Sequence, residues 1–300
     1  MGWKVLYIEE SDYLSTMLDN LKVRQKNEAE LLVPLKDIHS LVLDNYKLVV
    51  SIQLLNKCAE NNINVVLCGV DHNPVGVLVP YSGHHIMADV LKRQIEWSQN
   101  TRMIAHQLIV KEKIRNQYKI LEYLNLVSDT KAYLLKQYID EVEPGDITNR
   151  EGLAAKVYFR IIFGDKFQRF DEDVINAGLN YGYTILRTQI NKTIVAKGLN
   201  ATLGIIHKGP ANMFNLSDDI IEIFRPIVDL WVYKNIRLAE TFTKEHRVSL
   251  IDLTTKKMYF HNQSQTIFNC MTLYVNSIVN YFENDRSFIE FPVFGDLNEL

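Results

Sequence analysis

The chain lacks any run of apolar residues long enough to cross a bilayer, although 47% of its 300 residues are hydrophobic. No leader is expected either. Met1-Gly2-Trp3-Lys4-Val5-Leu6 passes at once to Glu9 and Glu10, without the extended apolar core of a secretory signal, and Leu6 stands where myristoylation needs Ser or Thr. The expectation is a globular protein of the cytoplasm with no membrane partner. Cysteine is scarce: Cys58, Cys68 and Cys270 are odd in number, with no two placed two residues apart, which excludes a disulfide framework and a thiolate zinc site. Cations are not in excess, at 33 Lys and Arg against 36 Asp and Glu, so the net charge of −3 gives no general electrostatic sign of a nucleic-acid partner. Internal repeats and low-complexity tracts are absent.

One absence is local. From Val174 through Ser217 there is no Asp or Glu, while Arg187, Lys192, Lys197 and Lys208 all fall inside that stretch. A second basic run, Arg102, Lys111, Lys113, Arg115 and Lys119, is interrupted only by Glu112. Charge alone favours solvated helix faces; contact with phosphates is the alternative.

The first quarter is filled by short β-rich segments, Trp3 to Ile8, Leu31 to Leu35, Ser40 to Leu43, Asn64 to Leu67 and Val75 to Val79. A single helix interrupts them over Ser51 to Asn61, where Ile52, Leu55 and Ala59 repeat near 3.6 residues. Pro80-Tyr81-Ser82-Gly83-His84-His85 concentrates turn formers, and beyond it long helical patterns take over. The reading is an α+β protein, with a β-rich domain over 1–80, a linker over 81–85 and a larger helical domain over 86–300. Helices are expected within Ile86 to Val142, over Asn149 to Ile162, after Asp173, and over Pro226 to Thr241. A hairpin of Val248 to Leu253 with Lys257 to Phe260, a last helix from Ser264 to Tyr281, and loosely held residues after Asn284 complete the expectation.

Three features carry chemistry. Glu151 lies in the first turn of a helix, where Thr148-x-x-Glu151 also matches a capping box. His207 ends the short apolar run Leu203-Gly204-Ile205-Ile206, and a lone loop histidine is more often structural than a ligand. Asp219 and Glu222, three apart, project from one helical face, although acidic residues after Ser217 would also stabilise a helix N-terminus. Taken together, one imidazole and two or three carboxylates describe an oxygen-rich site suited to Mg²⁺ or Mn²⁺ rather than zinc.

The motifs Asn149-x-Glu151-Gly152-x-Ala154-Ala155-x-x-Tyr158-Phe159, Leu203-Gly204-x-x-His207 and Asp219-x-x-Glu222-x-Phe224-Arg225-Pro226 resemble, in sequence and order, the CRISPR-associated endonuclease and integrase family Cas1. Lys113-Ile114-x-Asn116-Gln117 resembles another of its motifs, and the Met-Gly-Trp start resembles the version that accompanies Cas9 effectors. The resemblance implies a β-rich dimerisation domain and an all-helical catalytic domain. It implies metal ligands at Glu151, His207 and Glu222, Asp219 as an accessory acidic group, and Mg²⁺ or Mn²⁺ as cofactor. It further implies a homodimer that assembles with a Cas2 dimer, and partners in double-stranded DNA with free 3′ ends and in CRISPR repeat DNA. The implied reaction is attack by a 3′-hydroxyl of captured DNA on a repeat phosphodiester. In that setting Arg187, Lys192, Lys197 and Lys208 are expected to contact DNA. The competing readings are a nuclease that cleaves branched or single-stranded DNA without joining, and a non-catalytic DNA-binding scaffold.

Overall fold

The computed structural model describes residues 4–25, 29–78, 86–127, 131–283 and 288–299. It divides into two compact units, Met1–Met87 with Val195–Gly198, and Ala88–Ile194 with Leu199–Leu300. The turn-rich stretch 80–85 lies outside the described residues.

The first unit contains β1 (Lys4–Ile8), β2 (Tyr13–Met17), β3 (Asn20–Arg24), β4 (Leu31–Pro34), β5 (Ile38–Leu43), β6 (Val49–Val50), α1 (Ile52–Glu60), β7 (Asn64–Cys68) and β8 (Pro74–Leu78). One sheet runs β1-β5-β7-β8, parallel except for its last pair, and the other runs β4-β3-β2-β6. Every residue of β5 is buried, His39 and Ser40 included, and only Leu41 to Leu43 make the apolar run that the sequence shows. Its core includes Leu14, Leu21, Leu54, Cys58 and Val65. The β2–β3 hairpin escapes the sequence reading because its turn residues, Leu18 and Asp19, adopt φ of 47° and 57° without the Asn-Gly signature of such turns.

The second unit holds α2 (Met87–Glu96), α3 (Gln99–Tyr123), α4 (Ala132–Glu141), α5 (Arg150–Phe163), α6 (Val174–Ala196), α7 (Asn215–Ile221), α8 (Arg225–Asn235), α9 (Lys244–Asp252), β9 (Lys257–Phe260), β10 (Gln263–Thr266), α10 (Ile267–Glu283) and β11 (Val293–Phe294). It is therefore not all helical: a three-stranded sheet, β10-β9-β11, belongs to it. Two expectations change here. Val248 to Leu253 is mostly helix α9, and the partner of β9 is β10. The end of the chain is also tied down, because β11 pairs with β9 and buries Phe294. Among the described residues no helix is long and apolar enough to cross a membrane.

Helix α6 explains the first half of the acid-free stretch. Most of its length is buried, including Asn176, Gln189 and Asn191, so carboxylates are excluded there by desolvation. A Cβ on Gly178 would lie 2.1 Å from Ile236 Cδ1, and one on Gly182 2.5 Å from Val228 Cγ1, so these glycines let α8 approach closely.

Candidate metal site

Glu151 is not a helix cap. The N-cap of α5 is Asn149, whose side chain accepts from the Gly152 amide at 3.2 Å, and Asp146 accepts from the amides of Arg150 and Glu151 at 2.8 and 2.9 Å. Those two residues satisfy the helix start, and no capping box forms with Thr148. Gly152 follows from the same geometry, since a Cβ there would meet Asn149 Oδ1 at 2.6 Å. The carboxylate of Glu151 is thus released to meet Lys113 of α3, which donates to its Oε1 at 2.5 Å, while His106 Nε2 lies 4.0 Å from its Oε2.

Lys113 is itself buried and forms a second ion pair, with Oε2 of Glu222 in the turn after α7. Arg225, at the start of α8, pairs with the other Glu222 oxygen at 3.1 Å. Asn116, one helical turn beyond Lys113, donates to the Ile223 carbonyl at 3.0 Å and fixes the same turn. Burial pushes the Glu151 carboxyl up, but the Lys113 charge and hydrogen bond, with His106 and Arg225, hold it below the usual carboxylate range. Burial pulls the Lys113 ammonium down, and the two glutamates outweigh it and raise it.

Asp219, three residues from Glu222, does something different. Its side chain is buried and accepts from the amides of Ile205, Ile206 and His207 at 2.5, 3.2 and 3.3 Å, and from His207 Nδ1 at 2.7 Å. Both its oxygens are committed to shaping the His207 loop, so it acts as an anchor. Gly204 permits that anchoring, because a Cβ there would lie 2.4 Å from the His207 carbonyl and 2.7 Å from Asp219 Oδ2. The Asp219 hydrogen bond raises the His207 imidazole above its ordinary pKa against the effect of burial, and it leaves Nε2 as the ring atom available to a ligand. Two residues brace the loop from behind. Buried Gln94 bonds the Asn200 amide and the carbonyls of Asn200 and Leu203, and Arg102 donates to the carbonyls of Gln94, Trp97 and Gly204.

The structure therefore joins Glu151 and Glu222 through one ammonium and sets His207 on a separate, well-anchored loop. The three do not meet as a triplet: among the described residues, the set whose donor atoms all lie within 4.8 Å of one another is Glu9, Asp44 and His72, in the first unit. The donor chemistry of Glu151, His207 and Glu222 nevertheless fits a hard divalent ion. Glu222 Oε2 is buried with no hydrogen-bond partner of normal geometry beyond its ion pair with Lys113, a place suited to a spherical cation.

The basic residues divide. Lys208 is exposed and lines a cavity of about 630 Å³ together with His207, Trp97 and Asn212. Arg187 pairs with Asp218 at 3.6 Å and lies over the Phe214 ring, and Lys192 is half-buried, its ammonium pushed down to about 8 by burial. Lys197 is half-buried and falls in the first unit. In the second basic run, Arg102 and Lys113 serve the site and Arg115 and Lys119 pair with Glu112. Lys113, His106, Gln94 and Arg102 were not singled out as site residues in the sequence. For Lys113 a signal existed, the i, i+3 pairing with Asn116.

The model of the family described as CRISPR associated protein Cas1 matches residues 6–263. The CRISPR-associated endonuclease Cas1 of Neisseria meningitidis serogroup C is 34% identical over 257 residues, covering 84% of this chain and 84% of its own. In fold, the chain is similar to a casposase bound to integration product, with a TM-score of 0.80 at 17% identity over 97% of this chain and 93% of that one. It is also similar to a chain of a Cas6-RT-Cas1–Cas2 complex, with a TM-score of 0.76 at 17% identity over 98% of this chain and 36% of that one. With a family model spanning most of its length and a relative above 30% identity, this chain belongs to the Cas1 family of CRISPR-associated proteins.

Proposed function

We propose that the protein is a metal-dependent DNA endonuclease and integrase that inserts short captured DNA into a CRISPR repeat array. The observation that carries this reading is the convergence of Glu151 and Glu222 on one buried cation after Asn149 and Asp146 have taken over the capping of α5. Two carboxylates that the fold does not need for itself are held together at a cost in desolvation, a cost that a catalytic role accounts for.

In this reading a 3′-hydroxyl loses its proton to solvent and attacks a repeat phosphorus, one phosphodiester forms, one breaks, and the departing 3′-oxygen takes a proton from solvent. No nucleotide cofactor is consumed. Glu151, Glu222 and His207 would hold Mg²⁺ or Mn²⁺, which supplies Lewis-acid polarisation of the phosphate and stabilises the attacking oxygen. Asp219 keeps the His207 ring in the tautomer with its proton on Nδ1, so that Nε2 is the lone-pair face. Arg225 and Lys113 place positive charge beside the reacting phosphate, where negative charge builds. Lys208 is the basic residue best placed to meet a DNA strand at the mouth of the cavity, with Arg187, Lys192 and Lys197 as weaker candidates.

The partners follow from the family. Names of solved relatives that pair Cas1 with Cas2, or a casposase with an integration product, support Cas2 and DNA as partners, and the proposal takes these to be a Cas2 dimer, DNA with free 3′ ends and repeat DNA. A homodimer through the β-rich unit and a cytoplasmic location complete the proposal. The test is a joining assay with a labelled short duplex bearing free 3′ ends and a repeat duplex. Joined product that appears with Mg²⁺ or Mn²⁺ and is lost with a chelator is expected. Cleavage without joining in the presence of Cas2 would leave only a nuclease, and neither activity would leave a scaffold.

A further inference from the structure

A divalent ion bound between Glu151 and Glu222 would need the space that the Lys113 ammonium now fills. The nitrogen lies 2.5 Å from Glu151 Oε1 and is also paired with Glu222 Oε2, while metal–oxygen bonds of about 2.1 Å would bring an ion between the same two oxygens. Both cannot stay. Charge points the same way. Glu151 and Glu222 are matched by Lys113 and Arg225, so these four charges cancel, and a divalent ion added beside both cations leaves two positive charges in excess over the two glutamates. Such a surplus disfavours the ion alone. It suits the ion together with a phosphodiester, whose charge rises towards two negatives as the attacking oxygen adds.

We propose that Lys113 is the built-in counter-ion of this site: it holds Glu151 and Glu222 together while no divalent ion is bound, and it leaves them for a DNA phosphate when one binds. The proposal rests on the metal-site reading above. Its consequence is that metal and DNA bind cooperatively, each removing the other's electrostatic penalty. Lys113 thus acts on the metal through the carboxylates as a positioning residue and becomes a substrate contact only in the loaded complex.

The test is a titration of metal-free protein with MnCl₂, with free Mn²⁺ read by electron paramagnetic resonance, for the parent, Lys113→Met, Lys113→Arg and Glu222→Gln. Lys113→Met is expected to bind Mn²⁺ about tenfold more tightly than the parent, because a competing cation has gone. Lys113→Arg should stay within about threefold of the parent. A short duplex with free 3′ ends should tighten Mn²⁺ binding by the parent about fivefold or more and that of Lys113→Met much less. Mn²⁺ binding by Lys113→Met that equals or falls below the parent's overturns the proposal, as does equal coupling to DNA. A parent that binds no Mn²⁺, or binds it as Glu222→Gln does, defeats the metal-site reading itself. Should Lys113→Met fail to fold, acetylation of Lys113 in the parent, read by mass spectrometry, decides the matter. Reactivity is expected to rise severalfold on adding Mn²⁺, and unchanged reactivity overturns the proposal.

Discussion

Two carboxylate and imidazole clusters in this protein differ in how their charge is met. In the β-rich unit, Glu9, Asp44 and His72 bring their donor atoms within 4.8 Å of one another, the tighter arrangement by geometry. Asp44 there is buried and accepts hydrogen bonds from the Tyr7 hydroxyl and from His72 Nδ1 at 2.9 Å. In the helical unit, Glu151 and Glu222 are drawn together by full cations, Lys113 and Arg225, and His207 stands on its own loop. A pair of glutamates closed by a lysine is a site whose charge a metal can take over. On the proposed reading, tightness in the absence of metal is a poorer guide to metal chemistry than the means by which the negative charge is compensated.

The sharpest way to break this contrast is Glu151→Gln. The helix start is capped by Asn149 and Asp146, and Lys113 keeps Glu222, so stability is expected to fall by only about 1–2 kcal/mol, while metal-dependent joining and cleavage fall about 1,000-fold. Thermal unfolding beside the joining assay checks both. Near-parental activity would remove Glu151 from the site.

A smaller effect is expected at the loop. Gly204→Ala places a methyl group against the His207 carbonyl and Asp219, so the loop must shift, and joining should fall about 100-fold with the two glutamates untouched. Normal activity in a folded Gly204→Ala protein would show that the placement of His207 is not needed.

Asp219→Asn tests the imidazole through pH. Asp219 raises the pKa of the metal-free His207, and an imidazole must lose its proton to become a ligand, so metal affinity in the parent should fall on an acid limb that begins at that raised value. In Asp219→Asn the limb should move to lower pH, with the maximum rate down about tenfold from loss of the loop anchor. The sign for stability is opposite. A histidine whose folded pKa is raised stabilises the fold below its unfolded pKa, and that contribution is lost as pH rises through the folded one, so the metal-free variant should lose more stability at pH 5 than at pH 8. An unmoved limb would detach His207 from the chemistry.

How much of this was legible in the sequence follows from what each residue contacts. Glu151, His207 and Glu222 stood out through motif order, and five of the first unit's strands through runs of Val, Leu and Ile. The capping box at Thr148 was misleading because Asp146, at φ 49°, takes the Glu151 amide from outside the motif. Asp219 and Glu222 looked like a pair on one face, yet one faces backbone amides and the other faces cations, a division that only the folded loop at Gly204 determines. The acid-free stretch suggested a DNA-facing surface; its first half is helix α6, with more than half of its residues buried, while Lys208 beyond it is exposed. Lys113 stood in a recognised motif, but lysine rarely lies buried, so its place between two glutamates depends on contacts that sequence spacing does not reveal.

The smallest effect belongs to the other cluster. His72→Ala should leave joining within about twofold of the parent and lower stability by about 1 kcal/mol, through loss of the hydrogen bond to Asp44. A large loss of activity with normal folding would reverse the ranking of the two clusters.

The most direct test of the central claim is the anomalous scattering of Mn²⁺ in crystals of the protein grown with that ion. The account predicts a peak within about 2.2 Å of carboxylate oxygens of Glu151 and Glu222 and of His207 Nε2, with the Lys113 ammonium no longer between the two glutamates. A peak held by Glu9, Asp44 and His72 alone, with Lys113 still bridging Glu151 and Glu222, would contradict it.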